Sequence, residues 1–250
     1  MSISDGNAPE DPPMVGPVAP SVARAPWIGV MAACLVAGLG SWGIVEGLLQ
    51  HYSAAFEPVS KPYPSAEDNV RINRARIESG TIAFGATGGL LGLVVGLAVG
   101  GSRRSIAAGL RAGAVGLIVG AVVEAGAAWL TLTVFYKNGV DPDDMLQTLL
   151  CHESLWVGVG IAIGLAAGLG QGGPGRWWRA SVGGLAGAAV VAAAYEIAGA
   201  LVFPTQGIQN PIADSPLTRS IAWLAIPLGA GLGTVLGGRD PKPRRKPETA

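Results

Sequence analysis

Charge is scarce in this chain. Only 14% of the residues are Asp, Glu, Lys or Arg, half are hydrophobic, and the hydrophobic ones come in long blocks. A soluble domain interleaves apolar and polar residues at helical or strand period, so this pattern excludes an ordinary soluble fold. Histidine and cysteine number two each, too few for a disulfide framework. There is no HExxH, no GxSxG, no repeated CxxC and no glycine-rich loop ending in Gly-Lys-Ser/Thr. These absences argue against an enzyme, and no motif calls for a cofactor. The one basic run, "KPRRK" near the C-terminus, reads as an orientation anchor and not as a nucleic-acid site.

What the chain does have is six apolar blocks, at about 26–49, 80–101, 105–135, 152–172, 178–203 and 219–238. Each reaches the ~20 residues that cross a bilayer as a helix. The expected fold is therefore all-α: a six-span membrane domain over 26–238 in contact with the lipid bilayer. Residues 1–25 are Pro-rich and acidic, without the basic start and apolar core of a signal peptide, and read as a disordered tail. Residues 239–250 read as a basic tail. Lys and Arg gather at every second connection: Arg24, then Arg103 and Arg104, then Arg176 and Arg179, then the C-terminal run. By the positive-inside bias both termini are expected in the cytoplasm, and the Gly/Ala-rich chain is expected in a cytoplasmic membrane. "VRINRARIE" at 70–78 breaks the bias, with Glu67, Asp68 and Glu78 nearly balancing its arginines.

Small residues recur every four positions in three of the spans. Gly88, Gly92, Gly96 and Gly100 mark the second, Gly160, Gly164, Gly168 and Gly172 the fourth, and Ala225, Gly229, Gly233 and Gly237 the sixth. Residues four apart share a helix face, so each set predicts a smooth ridge against which another backbone can pack. Helix starts are expected at Ser65 with Asp68, at Asp141-Pro142 and at Ser215-Pro216. Asp141 as cap explains "DPDD" without calcium.

The other three spans each carry one carboxylate: Glu46, Glu124 and Glu196. Glu124 and Glu196 both follow an inner arginine, Arg104 or Arg176, by 20 residues, and Glu46 follows Arg24 by 22. At ~1.5 Å per residue this puts all three at one level towards the outer face. Glu124 ends the small-residue line Ala112, Gly116, Gly120, and Glu196 ends Gly184, Ala188, Ala192, so both face other helices. Glu46 has only Gly43 and Gly47 on that side. The unit is thus a glutamate helix followed by a glycine-ridge helix, at about 26–101, 105–173 and 178–238, which suggests a pseudo-threefold bundle. Three acids brought together would repel, so at least one should take up a proton, meet a small cation or find a basic partner.

His51, Cys151, His152 and Glu153 fall near the same level and form a weaker candidate for a transition-metal site, without HxxxH or CxxC spacing. Trp27, Trp177 and Trp178 fit an inner aromatic belt, and Trp129, Trp156 and Tyr136 an outer one. Over 80–135 and 152–203, a glycine-ridged helix, a short basic loop and a carboxylate helix follow one another. This layout resembles the proteolipid rotor subunits of rotary ATPases, and the resemblance implies a proton- or sodium-carrying carboxylate. The six spans, the leading glutamate helix and the absent polar-loop pattern set the chain apart from that family. Two readings follow: a protein that binds or passes a cation or proton at the three glutamates, or a structural membrane scaffold whose outer loops meet an unidentified protein partner.

Overall fold

The computed structural model describes residues 26–59, 64–137, 145–172, 175–203, 206–208 and 210–239. The two tails and the cap expected at Asp141-Pro142 lie outside the described residues, except for Arg239. Those residues form helices α1 (Pro26–His51), α2 (Ser53–Phe56), α3 (Ala66–Ser102), α4 (Ile106–Lys137), α5 (Met145–Gln171), α6 (Arg176–Val202) and α7 (Pro216–Gly237), and no strand. All but α2 are long and apolar enough to cross a membrane. The chain is a multi-pass membrane protein.

The helices outrun the apolar blocks because their ends are held by polar contacts. α3 starts at Ala66, well before the apolar block opens near residue 80. Ser65 and Asp68 form a reciprocal capping box, the Asp68 amide donating to Ser65 Oγ (3.1 Å) and the Ser65 amide to Asp68 Oδ2 (3.2 Å). Ion pairs Arg71–Asp68 (3.2 Å) and Arg74–Glu78 (2.8 Å) then stitch these turns, so two of the three arginines that broke the charge bias pair along their own helix, while Arg76 stands over the Tyr136 ring at 5.6 Å. At the start of α7, Ser215 is the cap and Pro216 the first residue, though the serine side chain makes no capping bond.

Packing sorts the helices into two sets. α1 packs on α3 and α7, α4 on α3 and α5, and α6 on α5 and α7. Each carboxylate helix thus lies in the groove between two of the others. Where α3, α5 and α7 meet, Phe84, Trp156 and Trp223 form a mutual cluster with ring centroids 5.2, 5.5 and 4.9 Å apart. The Trp223 indole donates to Thr87 Oγ1 (3.1 Å). Trp156, expected in the outer belt, is 1% exposed and belongs to this core. Level along a helix does not say which face a side chain takes, and this one faces inward. Trp27, Trp129, Trp177 and Trp178 are exposed, as a belt requires.

Glycine sets the interhelical distances. A Cβ on Gly92, Gly96 or Gly100 would run into the backbone of Gly116, Gly113 or Gly109 on α4. On α5, Gly160, Gly164 and Gly168 meet Gly184, Ala180 and Trp177 of α6 in the same way. Gly229 and Gly233 of α7 abut Gly187 and Gly183, while Gly237 meets Arg179 and Gly183, all on the preceding helix α6. Gly172 departs from the expected ridge: α5 ends at Gln171, and Gly172 (φ 66°) turns the chain beside Arg103. Pro227, inside α7, removes the amide that would bond the Trp223 carbonyl, and Gly38 of α1 lies against that carbonyl.

Candidate functional site: three intramembrane carboxylates

Each glutamate has its own surroundings. Glu46, on α1, is gripped by Arg219 of α7: Nε donates to Oε1 (2.7 Å) and Nη2 to Oε2 (2.8 Å). The remaining guanidinium nitrogen donates to the carbonyls of Ala213 and Asp214, both at 2.7 Å. This two-pronged pair is the strong form of arginine–carboxylate contact, and with Arg219 buried it ties α1 to α7.

Glu196, on α6, meets His152 on α5. The imidazole Nδ1 lies 2.5 Å from Glu196 Oε1 and 3.2 Å from the Thr148 carbonyl, so one ring nitrogen faces two acceptors. The approach to Glu196 is a close contact and not an aligned hydrogen bond. Both side chains are buried, and the Tyr195 ring stands beside the imidazole at 6.5 Å.

Glu124 is the odd one. It is completely buried on α4, and neither carboxyl oxygen has a hydrogen-bond partner among the described residues. Glycines make room for it: a Cβ on Gly88 of α3 would strike its Cγ, and one on Gly158 of α5 would strike Oε1. An ionised carboxylate left unpaired in such a place would cost several kcal/mol or more, so this group calls for a proton or a cation.

The register of the two inner hairpins explains the contrast. Gly92 faces Gly116 and Gly100 faces Gly109; Gly160 faces Gly184 and Gly168 faces Trp177. The separations are the same in both hairpins, 24 and 9 residues, so Gly116 and Gly184 are equivalent. Glu124 lies 8 residues beyond its member of that pair and Glu196 lies 12 beyond (124 − 116 and 196 − 184). Glu196 therefore sits one turn, ~6 Å, further out along its hairpin. There it reaches His152, whereas Glu124 stops opposite a glycine. Counting from arginines missed this turn because the connections after Arg104 and Arg176 differ: Arg104 precedes α4 while Arg176 begins α6.

The metal candidates do not assemble. His51 is exposed at the end of α1 and lies edge-on to Tyr52, Cys151 and His152 are buried on α5, and Glu153 is half-buried. Among the described residues no group of three or more His, Cys, Asp or Glu is placed to hold a metal ion. Sequence reasoning overlooked Arg219. Its signal was a lone arginine at the end of a span opposite the basic connections, where the charge bias disfavours one. The chain matches no protein-family model, no curated protein and no solved structure.

Proposed function

We propose that this multi-pass membrane protein binds and passes a proton, with Glu124 as the carrying group. The observation behind the reading is the fully buried Glu124 carboxyl, both of whose oxygens lack a partner. Glu46 and Glu196, which the sequence grouped with it, instead lie against Arg219 and His152. A metal cation fits less well, since it would need several ligands and among the described residues no cluster of His, Cys, Asp or Glu forms around Glu124. Access from the outer side is supported by a cavity of about 330 Å³ lined by Arg76, Ser79, Leu132, Tyr136, Asp214 and Arg219. Leu132, Ala128 and Glu124 follow one another on the buried stripe of α4, so the Leu132 lining lies two turns, ~12 Å, from the carboxyl.

Three carboxylate helices set in three grooves, with two hairpins in the same glycine register, support an internal repeat about a pseudo-threefold axis along the membrane normal. In that arrangement the glycine ridges act as the packing surfaces, both termini are cytoplasmic, and the protein resides in the cytoplasmic membrane.

The test is decay of an imposed pH gradient in proteoliposomes. Wild type should collapse the gradient faster than empty vesicles, Glu124→Gln should return to the empty-vesicle rate, and Glu196→Gln should keep measurable flux. A second reading, a non-transporting scaffold whose outer loops bind a partner, draws on the Glu46–Arg219 and Glu196–His152 contacts that bolt helices together. Wild-type protein that is folded yet no leakier than empty vesicles would decide for the scaffold.

A further inference from the structure

The outer half of the α3–α4 seam opens into a groove that faces away from the core, and its shape follows from the hairpin register. Gly88 lies against Glu124, Gly85 against Ala125 and Gly80 against Leu132. Continued outward, the same register brings Ile82 beside Trp129 and Arg74 beside Lys137, eight residues higher on both helices. Both pairs line one groove of about 810 Å³, together with Ile77 and Thr81.

The groove has an apolar foot and a basic rim. Trp129 is 57% exposed and Ile82 48% exposed, so the foot is open to the hydrocarbon region. The rim lies ~12 Å higher, at eight residues of helical rise. Arg74 is already matched by Glu78 (2.8 Å), whereas Lys137, in the last turn of α4, has no carboxylate partner among the described residues. The rim therefore carries one unmatched positive charge. An apolar foot with a cation ~12 Å above it matches an acyl chain and a phosphate.

We infer that this groove is a binding site for an anionic phospholipid, its chain lying on Ile82, Ile77 and Trp129 and its phosphate meeting Lys137 beside the Arg74–Glu78 pair. A net negative headgroup is selected because a zwitterionic one brings its own ammonium up to Arg74 and Lys137. One basic residue near a membrane surface is worth ~1 kcal/mol of attraction to anionic lipid, about fivefold in binding.

The experiment is native mass spectrometry of the full chain, released from detergent with equimolar phosphatidylglycerol and phosphatidylcholine of the same chains. Wild type should retain phosphatidylglycerol about fivefold over phosphatidylcholine, and Lys137→Gln should erase that preference. Trp129→Ala should lower retention of both lipids, and Arg104→Gln, at the opposite end of the helices, should change neither. Equal retention by wild type, or a preference that survives Lys137→Gln, overturns the assignment. Lys137 is exposed at a helix end, so the variant keeps the fold, and circular dichroism confirms that before lipids are compared. The result is independent of proton flux.

Discussion

Arg219 donates through all three of its guanidinium nitrogens, two of them to Glu46 and the third to the carbonyls of Ala213 and Asp214. A cation so placed is held at a level where a free one would be expelled, and removing it strands a carboxylate and two carbonyls at once. Breaking a buried pair by deleting one partner costs about 3–5 kcal/mol. Glu46 keeps 30% of its side-chain surface exposed, so the lower end applies to this pair. Arg219→Met should therefore destabilise the protein by about 3 kcal/mol, read from reversible unfolding in mixed micelles. Adding Glu46→Met should recover most of that loss, because the double change removes both charges together. A double variant no better than the single one would mean that Arg219 acts through the two carbonyls instead of through Glu46. The pair also marks where sequence reading stops. That at least one of three acids brought together would take up a proton, meet a cation or find a basic partner was the expectation from repulsion; that Glu46 meets Arg219 depended on α7 packing against α1, which no local pattern carries.

At the scale of the helix, spacing by four was legible, and close backbone approach was the expectation drawn from it. What spacing could not assign was the neighbour. The ridges of α3 and α5 meet the helix that follows across the inner turn, and that of α7 meets the helix before it. Nor could it separate glycines that touch a partner from those that do not. Gly43 and Gly47, read beside Glu46 as a packing side, have open space where a side chain would go, as has Gly126 two residues past Glu124. This difference yields a paired prediction. Gly126→Ala fills no occupied volume and removes a flexible residue from a helix interior, so it should stabilise by roughly 0.5–1 kcal/mol. Gly92→Ala drives a methyl into the Gly116 backbone and should destabilise by at least ~1–3 kcal/mol, the cost of overpacking. Thermal unfolding of the two variants beside wild type measures both signs, and equal shifts would show that the α3–α4 approach is looser than described.

For the whole molecule, the number of crossings and the asymmetry of its ends act together. α3 has 37 residues and α4 has 32, lengths of ~55 and ~48 Å against a hydrocarbon core of ~30 Å. Their junction is tight, with Arg103 donating to the Gly170 carbonyl (3.1 Å), so the surplus length projects on the other side. That side holds the capping box, the arginine-carboxylate pairs, the outer cavity and the rim of the lipid groove. The opposite side holds the two short connections with Arg103, Arg104, Arg176 and Arg179. Positive-inside bias assigns those connections to the cytoplasm, with Arg71, Arg74 and Arg76 at the start of α3 counting against it, so the orientation needs a direct test. Substituted cysteines can decide the point in a background where Cys34 and Cys151, both buried, are replaced by serine or alanine. Glu67→Cys, on the first turn of α3, should react with an impermeant maleimide in intact cells. Ser105→Cys, in the turn after Arg104, should react only after the membrane is permeabilised. Reversal of the two would invert the whole protein and turn the cavity above Glu124 to the cytoplasm, so that a proton entering by it would arrive from the opposite compartment. The labelling result therefore fixes the compartment that this cavity faces, before any flux is measured.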